Sequence, residues 1–143
     1  MKQVDELNLF KKFIVEQGYS LVVVKNGFVL HKTRGEGLKP FLEAIDKLQH
    51  KIHYSTVLDK ILGKASALLC LHSKAEKVYA LNATVEAKNI LKKRGVTVYV
   101  SETVDHVRNK AGDGLCPFEK LVEKIDSPYE AYMVLKKKVY EWI

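Results

Sequence analysis

Asn26-Gly27, set between Ser20-Leu-Val-Val-Val-Lys25 and Phe28-Val-Leu-His-Lys32, constrains this chain more than any other feature. Both central residues of a two-residue hairpin turn need φ > 0, which Asn and Gly adopt readily, and β-branched runs on either side suit pleated strands. An antiparallel hairpin is therefore seeded early, and the rest of the chain must pair with it or pack on it. Ahead of it, Val4 to Gln17 sets Val4, Leu7, Phe10, Phe13 and Ile14 at helical spacing, and Gly18 stops that helix.

After the hairpin, Thr33 to Gly37 is a polar loop, and Pro40 stands where a helix start tolerates a missing N–H. The helix expected from about Lys39 to Gln49 buries Leu38, Phe41, Leu42, Ile45 and Leu48. A second helix is predicted from about Leu58 to Leu71; it is apolar on nearly every face, the mark of a central, buried element. Lys77-Val-Tyr-Ala-Leu81 reads as a strand, Thr84 as the N-cap of a helix to Arg94, and Gly95 as its end. Val96-Thr-Val-Tyr-Val100 is the next strand. Strand, helix, strand with short connections is a parallel βαβ unit. The remainder reads as helices near Thr103–Arg108, from Pro117 to about Lys124, and from Pro128 to about Trp142.

The expected fold is therefore a single α/β domain over residues 1–143: a mixed sheet of about four strands, hairpin plus βαβ, covered by helices in three layers. Ligands in such sheets sit beyond the carboxyl ends of the parallel strands.

Composition sets the class of partner. Hydrophobic residues at 47% and charged ones at 29% describe a globular chain. No apolar run is long enough to span a bilayer, so no membrane partner is expected. MKQVDELNLFKKF lacks an apolar signal segment, and two cysteines are too few for a disulfide scaffold. The expected location is cytoplasmic. Twenty-four basic against seventeen acidic residues leave a net charge of +7, which favours anionic partners. The densest basic runs, Lys92-Lys93-Arg94 and Lys136-Lys137-Lys138, sit near helix ends without interleaved aromatic residues, so nucleic acid is not the favoured partner.

Two stretches look chosen for something other than packing. In Asp59-Lys-Ile-Leu-Gly63-Lys64-Ala-Ser-Ala67, the predicted buried helix carries Asp59, Gly63 and Lys64 at its front. A glycine inside a helix costs ~1 kcal/mol against alanine, which points to a close approach there, and Lys64 among small apolar residues is placed to meet an anion. The plainer reading has Asp59 capping the helix and Lys64 reaching to water. In Gly112-Asp113-Gly114-Leu-Cys116-Pro117-Phe-Glu119, two glycines precede a helix start that favours a thiolate or a bound anion. Cys116 is then a candidate nucleophile and Glu119 a candidate base; a buried thiol and a capping carboxylate are the alternative.

No metal cofactor is expected. Neither Cys70 nor Cys116 belongs to a paired motif, and His50-x-x-His53 falls at a polar helix end. His31, His72 and His106 are isolated, and nucleotide-binding and nucleophile-elbow signatures are missing.

The Asp59–Ala67 and Gly112–Glu119 segments resemble the two signature segments of a prokaryotic family, domain of unknown function 1893. Arg34-Gly-Glu-Gly37-Leu-Lys-Pro40-Phe-Leu is similar to a third. The resemblance covers most of the chain and implies a cytidine-deaminase-like fold. Zinc deaminases carry His-x-Glu on one helix and Pro-Cys-x-x-Cys on the next. Here the first helix has Asp59 and Lys64 instead, the next opens with Asn82-Ala-Thr84, and the Cys-Pro of Cys116 lies after the following strand. Ordinary zinc deamination does not carry over, and the family brings no established activity.

Three readings stay open. The favoured one is a metal-independent protein binding a small anionic, nucleotide-like ligand, with Lys64 on the anion, Asp59 orienting Lys64 or a hydroxyl, the Gly112 and Gly114 backbone and the helix N-terminus supplying donors, and Asp113 beside them. The second is an enzyme with Cys116 as nucleophile and Glu119 or Asp113 managing protons. The third is a non-catalytic interaction module, with Tyr129, Tyr132, Met133, Val139, Tyr140 and Trp142 of the last helix available for a homodimer contact.

Overall fold

The computed structural model describes residues 5–109, 111–112 and 114–141. Asp5 caps helix α1 (Glu6–Phe10) through hydrogen bonds to the Leu7 and Asn8 amides, and the chain widens into a π-helical stretch, Lys11–Glu16. Gly18, at φ +71°, ends it as expected. Strands β1 (Leu21–Lys25) and β2 (Phe28–Thr33) form the hairpin, with Asn26 and Gly27 at φ +51° and +81°. Helix α2 (Lys39–Leu48) follows with Pro40 in its first turn, and then a short 3-10 turn, Gln49–Ile52.

The next segment departs from expectation. Thr56–Leu62 is not the front of a helix but strand β3, and helix α3 begins only at Lys64 and runs to His72. The apolar run Val57, Leu58, Ile61, Leu62 belongs to a strand that pairs with β1 on one side and β4 on the other, so neither face sees water over most of its length. Strand β4 (Lys77–Thr84), helix α4 (Val85–Lys93) and strand β5 (Thr97–Val104) complete the parallel array, and the Thr84 hydroxyl accepts from the Ala87 amide as its N-cap. The sheet therefore has five strands rather than four, in the order β2-β1-β3-β4-β5. The hairpin is antiparallel to β3, and β3, β4 and β5 are mutually parallel.

The helix expected at Thr103–Arg108 is likewise replaced. β5 continues to Val104 because β4 reaches Thr84 beside it, and the chain then loops to an isolated bridge between Arg108 and Leu115. Helix α5 (Pro117–Leu121) and helix α6 (Pro128–Tyr140) close the fold; Val4 and Trp142 lie outside the described residues.

Side chains alternate about the sheet. Leu21 and Val23 of β1 enter a large core shared with α2, α3, α4 and α6, while Val22 and Val24 face a smaller one with Phe10, Phe13 and Ile14. This gives the three layers, with α1 and the π-helical stretch on one side and the other helices on the opposite side. α3 is the central helix, buried from Lys64 to Cys70, and packs against α2, α4 and α6. At about 25 cal/mol per Å² of apolar surface, its leucines are the chief anchors of the fold. No helix among the described residues is long and apolar enough to cross a membrane.

Candidate functional site

β3 and α3 meet at Gly63, and a cavity of about 950 Å³ opens beside that junction. It lies beyond the carboxyl end of the central parallel strand, where an α/β sheet leaves room for ligands, and its size is that of a small-molecule site. The loop from β2 and the first turn of α2 wall it with Arg34, Glu36, Leu38, Pro40 and Phe41, and the loop after β5 with α5 adds Val107, Arg108, Cys116, Phe118 and Glu119. All three segments that carry the family resemblance thus converge on one hollow.

The buried end holds two polar side chains. Asp59, on β3, and Ser66, in the first turn of α3, are each only 7% exposed, and both line the cavity. Asp59 Oδ1 accepts from the Ile61 amide at 3.4 Å, and the Lys60 amide also favours its charged form. Neither offsets burial, which pushes the carboxyl up to about 7. Among the described residues Asp59 has no ion-pair partner, and the Ser66 hydroxyl has no hydrogen-bond partner. At the exposed edge stand Arg34, Lys60 and Arg108. The Arg34 guanidinium lies 3.8 Å from the Tyr19 ring centre and donates to the Gln17 carbonyl, which fixes its position.

Glu119 occupies an anion position inside the protein. Its Oε1 accepts from the Lys64 amide at 2.8 Å and its Oε2 from the Ala65 amide at 2.7 Å. The first turn of α3 has no cap of its own, and a carboxylate from α5 supplies one, favoured by the helix dipole. Gly63 makes this possible: a Cβ there would lie 2.6 Å from Glu119 Cδ and 2.7 Å from Val107 Cγ2. The close approach inferred at Gly63 is real, but it sits at a strand–helix junction and the approaching group is the protein's own.

The other expected residues divide. Asp59, Gly63, Cys116 and Glu119 share the cavity; Lys64, Gly112 and Gly114 are not on its wall. The buried Lys64 ammonium donates to the Glu123 carbonyl at 2.9 Å and lies 3.6 Å from Asp126. The Gly112 amide is taken by Asn109, whose own amide donates to the Gly114 carbonyl. Asp113 lies outside the described residues. Cys116 is half-buried on the cavity wall, whereas Cys70 is a core thiol that burial and nearby Asp59 hold well above its ordinary range. Ser66, Arg34 and Arg108 were given no role from the sequence. Ser66 is the one hydroxyl in α3, and Arg34 opens the third family segment, so both leave a trace in the sequence.

A second hollow of about 500 Å³ lies at the far end of α3, lined by Asp46, His53, His72, Tyr132 and Lys136. Tyr132 stacks on His72 with ring centres 4.2 Å apart and donates its hydroxyl to Asp46, and Lys136 lies 3.1 Å from the same carboxylate. Burial, helped by His53, holds His72 below the usual imidazole value. No group of three His, Cys, Asp or Glu side chains among the described residues is placed to share a metal ion.

Fold and site define a three-layer mixed α/β protein with a ligand-sized cavity over its central strand. The chain belongs to the family described as domain of unknown function DUF1893, whose model matches residues 9–139. Among solved structures, a DUF1893 family protein from Thermotoga maritima is 28% identical with a TM-score of 0.84, covering 94% of this chain and 92% of that one. The apo dCMP deaminase of the cyanophage S-TIM5 superposes more loosely, with a TM-score of 0.48 and 19% identity over 73% of this chain and 100% of that one. No curated protein matches the chain.

Proposed function

We propose that this protein binds a small anionic, nucleotide-like molecule in the cavity between β3, the 34–41 loop and the 107–119 loop. One observation carries the reading: a hollow of about 950 Å³ with mostly apolar walls, polar groups at its buried end and three cations at its mouth. Leu38, Phe41, Pro117 and Phe118 suit the faces of a flat ring, and Arg34, Lys60 and Arg108 suit a phosphate or carboxylate. This moves the anion contact from Lys64, which is tied to Glu123 and Asp126, to the arginines at the rim. Two free thiols in one small chain suit a reducing compartment, and we place the protein in the cytoplasm.

The test is a thermal-shift series with nucleosides, nucleotides and sugar phosphates, on the parent and on an Arg34→Ala/Arg108→Ala double variant. A ligand bound only by the folded form raises the midpoint by mass action. The expected result is a saturable rise with nucleoside monophosphates that falls at least tenfold in apparent affinity in the double variant, since each charged hydrogen bond contributes about 1.5–3 kcal/mol. No rise with any anionic compound, or a rise indifferent to both arginines, overturns the reading.

A further inference from the structure

The buried end of the cavity holds a carboxyl that folding meets with backbone amides alone. A carboxyl taken from water to 7% exposure is ordinarily met by a cation or by several hydrogen-bond donors. Asp59 has only backbone amides at its own strand end, and no positive charge among the described residues is near enough to hold its pKa down. Beside it on the same wall, Ser66 is buried to the same extent, and its hydroxyl has no hydrogen-bond partner among the described residues. Buried polar groups are nearly always fully paired, so an under-paired carboxyl and a hydroxyl lining one cavity are the groups there best placed to hold something that enters it.

We propose that this end of the cavity recognises the paired N–H edge of its ligand, an amidine or an amino-substituted nitrogen heterocycle, with the two donors bridging the Asp59 carboxylate and Ser66 completing the contact. A carboxylate offers two acceptors in one plane at the spacing of an N–C–N donor pair, the geometry that makes such contacts bidentate. The shape of the site agrees: aromatic and proline side chains along the walls suit a planar ring, and the rim cations stand at the exposed edge. An amine-free ring leaves Asp59 as unsatisfied as it is in the empty protein, so the site discriminates between ligands by that edge. The inference rests on the cavity being a ligand site, as proposed above, but not on the ligand being an anion.

The experiment pairs probes that differ in the donor edge; the guanosine and inosine pair holds charge constant, and the benzamidine and benzamide pair changes charge as well. Guanosine monophosphate carries a ring N–H beside an amino group, and inosine monophosphate lacks the amino group; benzamidine, a cation at this pH, and neutral benzamide contrast a charged donor pair with a single amide without a phosphate. Binding of all four is measured by calorimetry at about pH 8, on the parent, Asp59→Asn and Ser66→Ala proteins, with circular dichroism to establish folding. The expected result is that guanosine monophosphate and benzamidine bind at least tenfold more tightly than their partners. That preference should fall to near unity in Asp59→Asn and weaken severalfold in Ser66→Ala. Should Asp59→Asn not fold, the Ser66→Ala ratios decide. Equal affinity within each pair, unchanged by either variant, overturns the inference while leaving the nucleotide reading intact. Binding of benzamidine alone, dependent on Asp59, sustains the inference and removes the anion. Binding of none of the four removes both.

Discussion

Asp46 and Asp59 stand at opposite ends of α3, and the protein treats them in opposite ways. Asp46, a third exposed, receives a hydroxyl from Tyr132 and an ammonium from Lys136, and Tyr132 is itself braced by stacking on His72. Asp59, far more buried, receives backbone amides alone. A carboxylate that serves the fold arrives with its partners, because leaving it without them costs several kcal/mol. One that lacks them beside a cavity is what the proposed ligand contact would explain. The smaller hollow, around Asp46, is thus a satisfied network, and the larger one sets a carboxyl against backbone amides alone.

The sharpest test of this contrast is the sign of a substitution. Folding raises the Asp59 pKa from 3.8 to about 7, so the folded state binds more protons than the unfolded chain between those values. Stability from this group therefore falls as pH rises through that window, by at most about 1.4 kcal/mol per unit, and stays low above it. Asp59→Asn should remove the dependence, matching the parent near pH 4 and exceeding it by a few kcal/mol near pH 8 in urea unfolding. A variant less stable than the parent at the higher pH would mean that Asp59 is a structural carboxylate after all.

Gly63→Ala comes next in size. The new Cβ drives out Glu119 and uncaps α3, an expected loss of about 2–3 kcal/mol by denaturant midpoint, and Glu119→Gln, which keeps the shape, should lose about half as much. Similar losses for both would place the effect in charge rather than in space. Asp46→Asn should destabilise by about 1 kcal/mol at neutral pH, opposite in sign to Asp59→Asn, and Tyr132→Phe should do the same. The smallest effect is expected at Asp126. Its side chain is 94% exposed, so Asp126→Asn should change stability by less than about 0.5 kcal/mol, the Glu123 carbonyl still holding Lys64.

Much of this architecture is legible in local sequence because local rules decide it. Asn26-Gly27 specifies its own turn, Thr84 its own cap, and the amphipathic α2 its own face. β3 is not legible in that way. Val57, Leu58, Ile61 and Leu62 are apolar enough for a buried helix or a doubly buried strand, and the choice is made by β1 and β4, which lie at distant positions in the chain. Gly63 was the available signal: a helix so apolar does not carry a glycine in its interior without reason, and here the glycine marks the boundary. The cavity was half visible. Asp59, Gly63, Cys116 and Glu119 were singled out and do meet, whereas Lys64 was assigned to an external anion because a sequence does not show that Glu123 and Asp126 will be waiting for it.

The hold that Glu119 and Glu123 keep on the start of α3 also bears on how the molecule opens. The first amides of a helix ordinarily exchange with solvent freely, because no carbonyl within the helix can receive them. Here the Lys64 and Ala65 amides are received by a side chain 55 and 54 positions further along, and the Lys64 ammonium is held by the same stretch of chain. Deuterium uptake at those two amides therefore reports less the fraying of a helix end than the release of the Glu119 carboxylate from it.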